Sequence, residues 1–178
     1  METFWAKGYT ATSLQDLLGA MGLSKSSLYQ SYGGKSELFH RCLEHYCSVQ
    51  AQSMRQQLAA SETGMAFVKR LFQDLAEAPR HGGGQWGCLL MNTASELGLR
   101  DPTVTDRVAA GRQHFATVFR EAVERAMNEG EIDCKRDPEA LALYLVSNMS
   151  GLRTLLKTGV NAEEARSIID SILRALRA

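Results

Sequence analysis

The feature that most constrains this chain is the spacing of its apolar residues, which recur every three or four positions along most of its length. Such spacing places apolar side chains on one side of an α-helix, whereas a half-buried strand requires alternation with period two, and no run of that kind is convincing here. The clearest stripe lies at the C-terminus: Ala165, Ile168, Ile169, Ile172, Leu173 and Leu176. We therefore predict an all-α fold.

The composition excludes several classes of protein. With 178 residues, 44% of them hydrophobic, the chain can bury a core, but it has no apolar stretch of about 18 residues to span a bilayer. The N-terminus lacks a basic segment followed by an apolar one, and the four cysteines are too few and scattered for a disulfide framework. We expect a cytoplasmic protein with reduced thiols. The net charge is zero, so any signal for nucleic acid has to be local.

Start and stop signals divide the chain into helices. Thr12-Ser13-Leu14-Gln15 is typical of a capping box, Ser24 is a second N-cap candidate, and Gly22 and Gly33-Gly34 are expected helix ends. Asp101-Pro102 and Asp137-Pro138 each combine a carboxylate cap with a proline suited to the first helical position. The predicted helices have these approximate bounds: 13–21, 25–32, 35–58, 66–78, 88–97, 102–129, 138–158 and 162–177.

The first two of these helices carry the most specific signal. Met21-Gly22-Leu23-Ser24 joins them, and its glycine permits the tight turn of a helix-turn-helix, whose second helix fits the roughly 12 Å major groove of DNA. Opposite Leu28 and Tyr32, which we expect to point inward, the second helix carries these hydrogen-bond donors: Lys25, Ser26, Ser27, Tyr29, Gln30 and Ser31. Lys35 follows at a helix start, where it can hold a phosphate. The alternative is a solvated face on helices that only form a core.

The first 46 residues also hold an ordered set of positions: Phe4, Lys7-Gly8-Tyr9, Thr12-Ser13-Leu14, Gly22-Leu23-Ser24-Lys25-Ser26-Ser27-Leu28-Tyr29-Gln30-Ser31-Tyr32 and Lys35-Ser36-Glu37-Leu38. This set resembles the DNA-binding head of TetR-family transcriptional regulators. The resemblance implies a helix-turn-helix DNA-binding domain over 1–46 and a ligand-binding and dimerisation domain over 47–178. It further implies phosphate contacts at Thr12 or Ser13, base or phosphate contacts at Lys25, Ser26, Ser27, Gln30 and Ser31, and phosphate contacts at Tyr29 and Lys35. Members usually begin with a longer, basic first helix, so we expect the start of that helix to be missing.

A small-molecule site is expected among the long helices of the second domain, where polar groups interrupt apolar faces. The candidates, each of which could instead be a core residue, are Trp86, Asn92, His114, Phe115, Phe119, Tyr144, Asn148 and Met149. Cys88 is a further candidate, because a helix N-terminus favours the thiolate. The segment Trp86-Gly87-Cys88-Leu89-Leu90 also resembles the TetR-family branch that includes redox and electrophile sensors; core packing is the alternative. We expect alkylating reagents to label Cys88 before the other cysteines.

Two other patterns are weak. His81-Gly82-Gly83-Gly84 is similar to the oxyanion loop of lipases and esterases, but no Gly-x-Ser-x-Gly elbow accompanies it. His40, Cys42, His45 and Cys47 lie on one predicted helix, which cannot wrap four ligands around a metal, and we expect the two histidines on an exposed flank. We therefore predict a protein that is not an enzyme and has no metal or cofactor.

The predicted function is that of a ligand-responsive transcriptional repressor, which binds a palindromic double-stranded DNA operator as a homodimer and is released by a small-molecule inducer. The 138–158 helix is apolar on more than one face, which favours burial of one face in the subunit and of another, with the 162–177 helix, against a partner. We expect the inducer to move the 35–58 helix and so change the separation of the two heads. The alternative is a redox or electrophile switch, or a helical enzyme, that uses Cys88.

Overall fold

The structure, a computed structural model, describes residues 1–77, 86–98 and 100–177, and the regular structure in these ranges is helical. They contain nine helices: α1 (Glu2–Lys7), α2 (Leu14–Met21), α3 (Lys25–Tyr32), α4 (Lys35–Ala60), α5 (Gly64–Glu77), α6 (Leu89–Leu97), α7 (Pro102–Asn128), α8 (Pro138–Lys157) and α9 (Ala162–Arg177). The prediction of an all-α fold is confirmed. Within the same ranges, no helix is long and apolar enough to cross a membrane.

The long helices of the second half begin where their start signals predict. Asp101 Oδ1 accepts hydrogen bonds from two N–H groups in the first turn of α7, and Asp137 accepts one in the first turn of α8. The following proline occupies the start of each helix, where its missing N–H leaves no bond unmade. Two bounds differ from prediction by two residues, because α4 continues to Ala60 and α5 already begins at Gly64.

The early start of α5 is stabilised by carboxylates from the far end of α7 and the loop after it. The N–H of Gly64 donates to Glu129 Oε2 at 2.8 Å, and the N–H of Met65 donates to Glu131 Oε2 at 3.2 Å. Free N–H groups at a helix N-terminus favour negative charge, so this pairing suits both partners. Gly64 also lets α5 approach α7 closely, since a Cβ there would overlap the Ala122 carbonyl oxygen.

Two apolar clusters lie along α4. The first, which we call the head cluster, has these buried members: Phe4, Leu17, Leu28, Leu38 and Phe39. The second, the body cluster, begins at Leu43 on α4 and continues through α5 to α9. Within it α7 is the central helix and contacts α4, α5, α6 and α8. Because α4 contributes to both clusters, it is a helix that connects the head to the body.

Candidate nucleic-acid interface and effector site

The helix α3 presents a polar face to solvent. Leu28 on its inner side is fully buried. The exposed residues on its outer side are Lys25, Ser26, Tyr29, Gln30 and Ser31. Ser24 caps the helix by accepting a hydrogen bond from the Ser27 N–H at 3.1 Å, and the hydroxyl groups of these two serines are 2.9 Å apart. Of the six predicted donors on α3, Ser27 is thus half-buried and engaged locally, and the other five are accessible.

Glycines end both short helices in the left-handed conformation. Gly22 has a φ of 64° and its N–H donates to the Leu18 carbonyl, which closes α2. Gly33 has a φ of 76° and closes α3 in the same way on Tyr29. Residues with a Cβ rarely adopt this conformation, so glycine is what allows turns this tight. Both helices therefore end at the residues that the sequence predicts.

Thr12 and Ser13 have different roles, and the predicted capping box is wrong by one residue. Ser13 is the N-cap of α2: its hydroxyl accepts from the Asp16 N–H at 3.1 Å, and its own N–H donates to the Asp16 carboxylate at 2.8 Å. Thr12 is fully buried, and its hydroxyl donates to the Gly8 carbonyl at 2.6 Å. That bond occupies the Thr12 hydroxyl and leaves Ser13 to cap. A buried Thr12 cannot reach a phosphate, whereas Ser13 is exposed.

The lysines of the head differ in how strongly they are paired. Lys7 Nζ donates to Asp16 Oδ1 at 2.7 Å, and this bond, with those from Ser13, holds the pKa of the Asp16 carboxyl well below its usual range. Lys35 lies half-buried at the start of α4 with its ammonium group 4.4 Å from the centre of the Tyr9 ring. A cation over an aromatic face is held in place without losing its charge. The ammonium group of Lys35 is therefore already held in position beside α3.

The head is tied to α6 through Glu96. Its Oε2 accepts a hydrogen bond from the Tyr9 N–H at 2.9 Å, and its Oε1 accepts one from the Thr10 N–H at 2.7 Å. Partial burial alone would oppose ionisation, but the bonds from Thr10 and Tyr9 and the nearby Lys35 charge outweigh it and lower the pKa of Glu96. A Cβ on Gly8 would lie 2.7 Å from Oε2, so glycine permits this approach. We call this contact the Glu96 tether; no local signal in the sequence indicates it.

A second tie connects the head to the start of α6. Trp5 on α1 donates from Nε1 to the Gly87 carbonyl at 3.1 Å, and its ring lies edge-on to Trp86 with centroids 5.7 Å apart. Asn92 Nδ2 donates to the Trp86 carbonyl at 2.8 Å, and Lys157 Nζ of α8 donates to Asn92 Oδ1 at 3.0 Å. The predicted ligand residues Trp86 and Asn92 thus lie together, where head and body meet.

The other predicted ligand residues are dispersed. Phe115, Phe119 and Met149 are buried in the body cluster, where they contribute to packing. Tyr144 and Asn148 lie half-buried on α8, and the Asn148 side chain donates to the Tyr144 carbonyl at 2.8 Å within that helix. These five residues therefore lie in two settings, the packed core and the partly exposed side of α8.

Cys88 is the N-cap of α6, yet only 4% of its surface is exposed. The Tyr46 hydroxyl donates to Cys88 Sγ at 3.7 Å and accepts from Arg153 Nη1 at 3.0 Å. Burial, and secondarily the proximity of Cys88, raise the pKa of Tyr46, and the same two causes raise the pKa of Cys47 to about 12. Cys134 is exposed. The expected preference of alkylating reagents for Cys88 is therefore not supported by accessibility.

A cavity of about 150 Å³ lies between α4 and α7, and we call it the α4–α7 cavity. His114, a predicted ligand residue, lines it together with Arg107 and with His40 from α4. His40 is only 8% exposed, so its expected place on an exposed flank is wrong: that side of α4 faces α7. In the part of the chain that the structure describes, no three histidine, cysteine or acidic side chains are grouped to hold a metal ion. The His81-Gly82-Gly83-Gly84 segment lies outside the described residues.

Two family models match the chain. The model described as "Bacterial regulatory proteins, tetR family" matches residues 1–42, which include α1, α2 and α3. The model described as "Tetracyclin repressor-like, C-terminal domain" matches residues 64–172, from the start of α5 into α9. The first match covers the helix-turn-helix, and the second covers more than half of the chain.

Individual relatives and a solved structure are similar over nearly the whole chain. The HTH-type transcriptional regulator YezE of Bacillus subtilis is 28% identical over 177 residues, which is 99% of this chain and 91% of the relative. The HTH-type transcriptional repressor ComR of Escherichia coli is 25% identical over 175 residues, 98% of this chain and 83% of the relative. The TetR family regulator CifR, solved as a cysteine mutant with 26-bp operator DNA, is 27% identical with a TM-score of 0.82 over 97% of this chain and 91% of that one. The two family models match in chain order, and the first of them includes the exposed helix α3. The chain therefore belongs to the TetR family of DNA-binding transcriptional regulators.

Proposed function

We propose that this chain is a cytoplasmic transcriptional repressor whose head, residues 1–46, binds an operator and whose body, residues 47–178, binds an inducer and a second copy of the chain. The observation that carries the proposal is the face of α3, where exposed hydrogen-bond donors are held from behind by the fully buried Leu28. A helix of this kind can enter the major groove and donate to base edges and phosphates. Names such as that of the repressor ComR support repression as the outcome.

The exposed residues of the head divide into two roles. We assign phosphate contacts to Ser13, Tyr29 and Lys35, which lie at helix starts or on the outer side of α3. Base or phosphate contacts are assigned to the other α3 donors: Lys25, Ser26, Gln30, Ser31 and, to a lesser extent, Ser27. Thr12 is left out because it is buried. Phosphate contacts position the protein, whereas contacts to base edges determine sequence preference.

This division is tested by selecting an operator from random DNA and titrating variants at several salt concentrations. Lys35→Ala should weaken binding to all sequences alike and reduce the salt slope by about 0.9, since it removes one phosphate contact. Gln30→Ala should relax preference at one base pair. Lys69→Ala, on the exposed side of α5, is the matched control and should change neither quantity. An equal, uniform loss in both head variants would contradict the roles, and a wild-type protein that selects no DNA site would contradict the proposed function.

The outer side of α8 supports a homodimer. Leu143, Ser147, Gly151 and Leu155 recur at four-residue intervals and are all exposed, the two leucines by 43% and 41%. Exposed leucines flanking small residues form a ridge against which a partner helix can approach closely. Leu143→Glu should produce a monomer in sedimentation without unfolding the subunit, because this side chain does not belong to its core. In the dimer, the two α3 helices should lie about 34–36 Å apart or at a multiple of that distance.

Inducer binding can reach the head by two routes. One is α4, which belongs to both apolar clusters. The other is α6, which is held to the head at its start by Trp5 and near its end by the Glu96 tether. An inducer shifts the equilibrium only by its different affinity for the two arrangements of the head, so DNA must lower inducer affinity by the same factor as the inducer lowers DNA affinity. Unequal factors at equilibrium would contradict a two-state switch.

A thiol switch at Cys88 is the second candidate function, and one observation favours it. The sulfur is in contact with the Tyr46 hydroxyl, and it lies next to Gly87, whose carbonyl accepts the Trp5 hydrogen bond. A modification that enlarges this side chain would therefore displace the contact between head and α6. Cys88→Ser should retain DNA binding and make it insensitive to oxidants. If oxidation abolished DNA binding by Cys88→Ser as it does for the wild type, a switch at Cys88 would be excluded.

A further inference from the structure

The α4–α7 cavity lies between two facing helices, and the residues that line it have the same spacing along each helix. From α4 it is lined at positions 40, 43, 44 and 47, and from α7 at positions 107, 110, 111 and 114. Gly111 allows the helices to approach closely, since a Cβ there would lie 2.7 Å from Cys47 Sγ. The space beside this contact, about 150 Å³, matches a molecule of the size of benzene, with about six non-hydrogen atoms.

Arg107 is the charged group whose surroundings point to a ligand. Its Nε is buried and has no hydrogen-bond partner, and among the described residues the guanidinium group makes neither a hydrogen bond nor an ion pair. A buried donor without a partner is unfavourable, and native proteins rarely leave one. The planar guanidinium group presents parallel N–H donors that match the two oxygens of a carboxylate.

The other residues that line the cavity indicate which chemical class of ligand it can bind. His40 and His114 bring imidazole groups to the cavity from opposite helices, and each can offer an N–H to an anion. Leu43 and Cys47 supply an apolar wall on α4. Glu44 is the carboxylate of this lining, and its charge opposes negative charge on the ligand, so that it disfavours a dianion more strongly than a monoanion. The combination suits one negative charge attached to a short apolar group, and it is less suited to phosphate.

We propose that the α4–α7 cavity binds a small monocarboxylate, whose oxygens pair with Arg107 and whose carbon chain contacts Leu43 and Cys47. This inference deepens the proposed function, on which it rests for its biological meaning, because it names the chemical class of the inducer. The cavity lies between the helix that joins head and body and the central helix of the body. Occupancy therefore fixes the separation of α4 from α7 at a point only a few residues from the head cluster.

The test is calorimetric titration of the full chain, without DNA, with straight-chain carboxylates from propionate to hexanoate. Saturable binding of at least one of them is expected, with none by butyramide, which lacks the charge, and weaker binding of inorganic phosphate. Arg107→Gln should weaken binding about tenfold or more, because it removes a charge-assisted pair. Arg112→Gln, at a half-buried arginine on the same helix outside the cavity lining, is the matched control and should leave the affinity unchanged.

A second variant tests whether binding requires the space of the cavity as well as the charge of Arg107. Ala110 is exposed at the cavity, so Ala110→Leu should fill it without disturbing the core and abolish binding while Arg107 stays in place. No binding by wild type, or equal weakening by Arg107→Gln and Arg112→Gln, would overturn the inference. The titration contains no DNA, so failure of the protein to select an operator would contradict the proposed function and leave the carboxylate result valid. Carboxylate binding that leaves operator affinity unchanged would overturn the assignment as inducer.

Discussion

Removing the charge of Glu96 should weaken the contact between the head and the body and lower the free energy of unfolding. Two backbone N–H groups donate to this carboxylate, at 2.9 Å from Tyr9 and 2.7 Å from Thr10. A hydrogen bond to a charged group that is shielded from solvent contributes about 1.5–3 kcal/mol to stability. The partial exposure of Glu96 reduces that value. We expect Glu96→Gln to lower the free energy of unfolding by about 2 kcal/mol at pH 7. In a chain of this length the thermal midpoint then falls by roughly 4–8 °C.

The pH dependence gives a sharper test, because the pKa of Glu96 is lowered in the folded state. The tether therefore contributes fully above the unfolded carboxyl pKa of about 4.3 and loses its contribution as the pH falls through the folded value. Urea unfolding from pH 7 down to pH 3.5 should show the difference between wild type and Glu96→Gln shrinking. Glu62→Gln, at an exposed glutamate between α4 and α5, is the matched control. If Glu96→Gln were as stable as this control at pH 7, or if the difference grew in acid, the Glu96 charge would not stabilise the fold.

Three further outcomes follow from the packing. Gly64→Ala should destabilise the fold by about 1–3 kcal/mol in urea unfolding, because the added Cβ overlaps the Ala122 carbonyl oxygen; an unchanged midpoint would contradict this. Gly19→Ala should instead stabilise by about 0.5–1 kcal/mol, since this exposed position in α2 has nothing within 4 Å of a new Cβ. Brief alkylation followed by mass spectrometry should label the exposed Cys134 before the buried Cys88; the reverse order would mean that the region around Cys88 opens readily.

The helix-turn-helix was predictable because its signals are local. Gly22 and Gly33 end their helices where the sequence indicates, and no distant partner is needed for that. The choice between Thr12 and Ser13 as N-cap failed for a related reason: both hydroxyl groups can cap, and which one does so depends on the Gly8 carbonyl, which captures Thr12. Adjacent residues of the same chemistry cannot be distinguished until the chain around them is placed.

The contacts between head and body could not be predicted, because they join distant parts of the chain. Glu96 lies 87 positions after Tyr9, and nothing in its own neighbourhood distinguishes it from any other helix glutamate. Arg107 and His40 share a cavity only because α4 and α7 pack side by side. Polar residues on apolar helix faces were reasonable ligand candidates, but periodicity does not say which neighbouring helix a face meets, and Phe115 accordingly lies in the core.

The carboxylates that cap α5 also bear on how the chain is made. Gly64 and Met65 depend on acceptors that follow 65 and 66 positions later, so during synthesis α5 has an incomplete N-terminus until the end of α7 has been added. The buried members of the head cluster, in contrast, are all present once Phe39 has emerged. Domains made first on the ribosome generally fold first. The head can therefore take shape early in translation, whereas the start of α5 gains these two acceptors only after the end of α7 has been added.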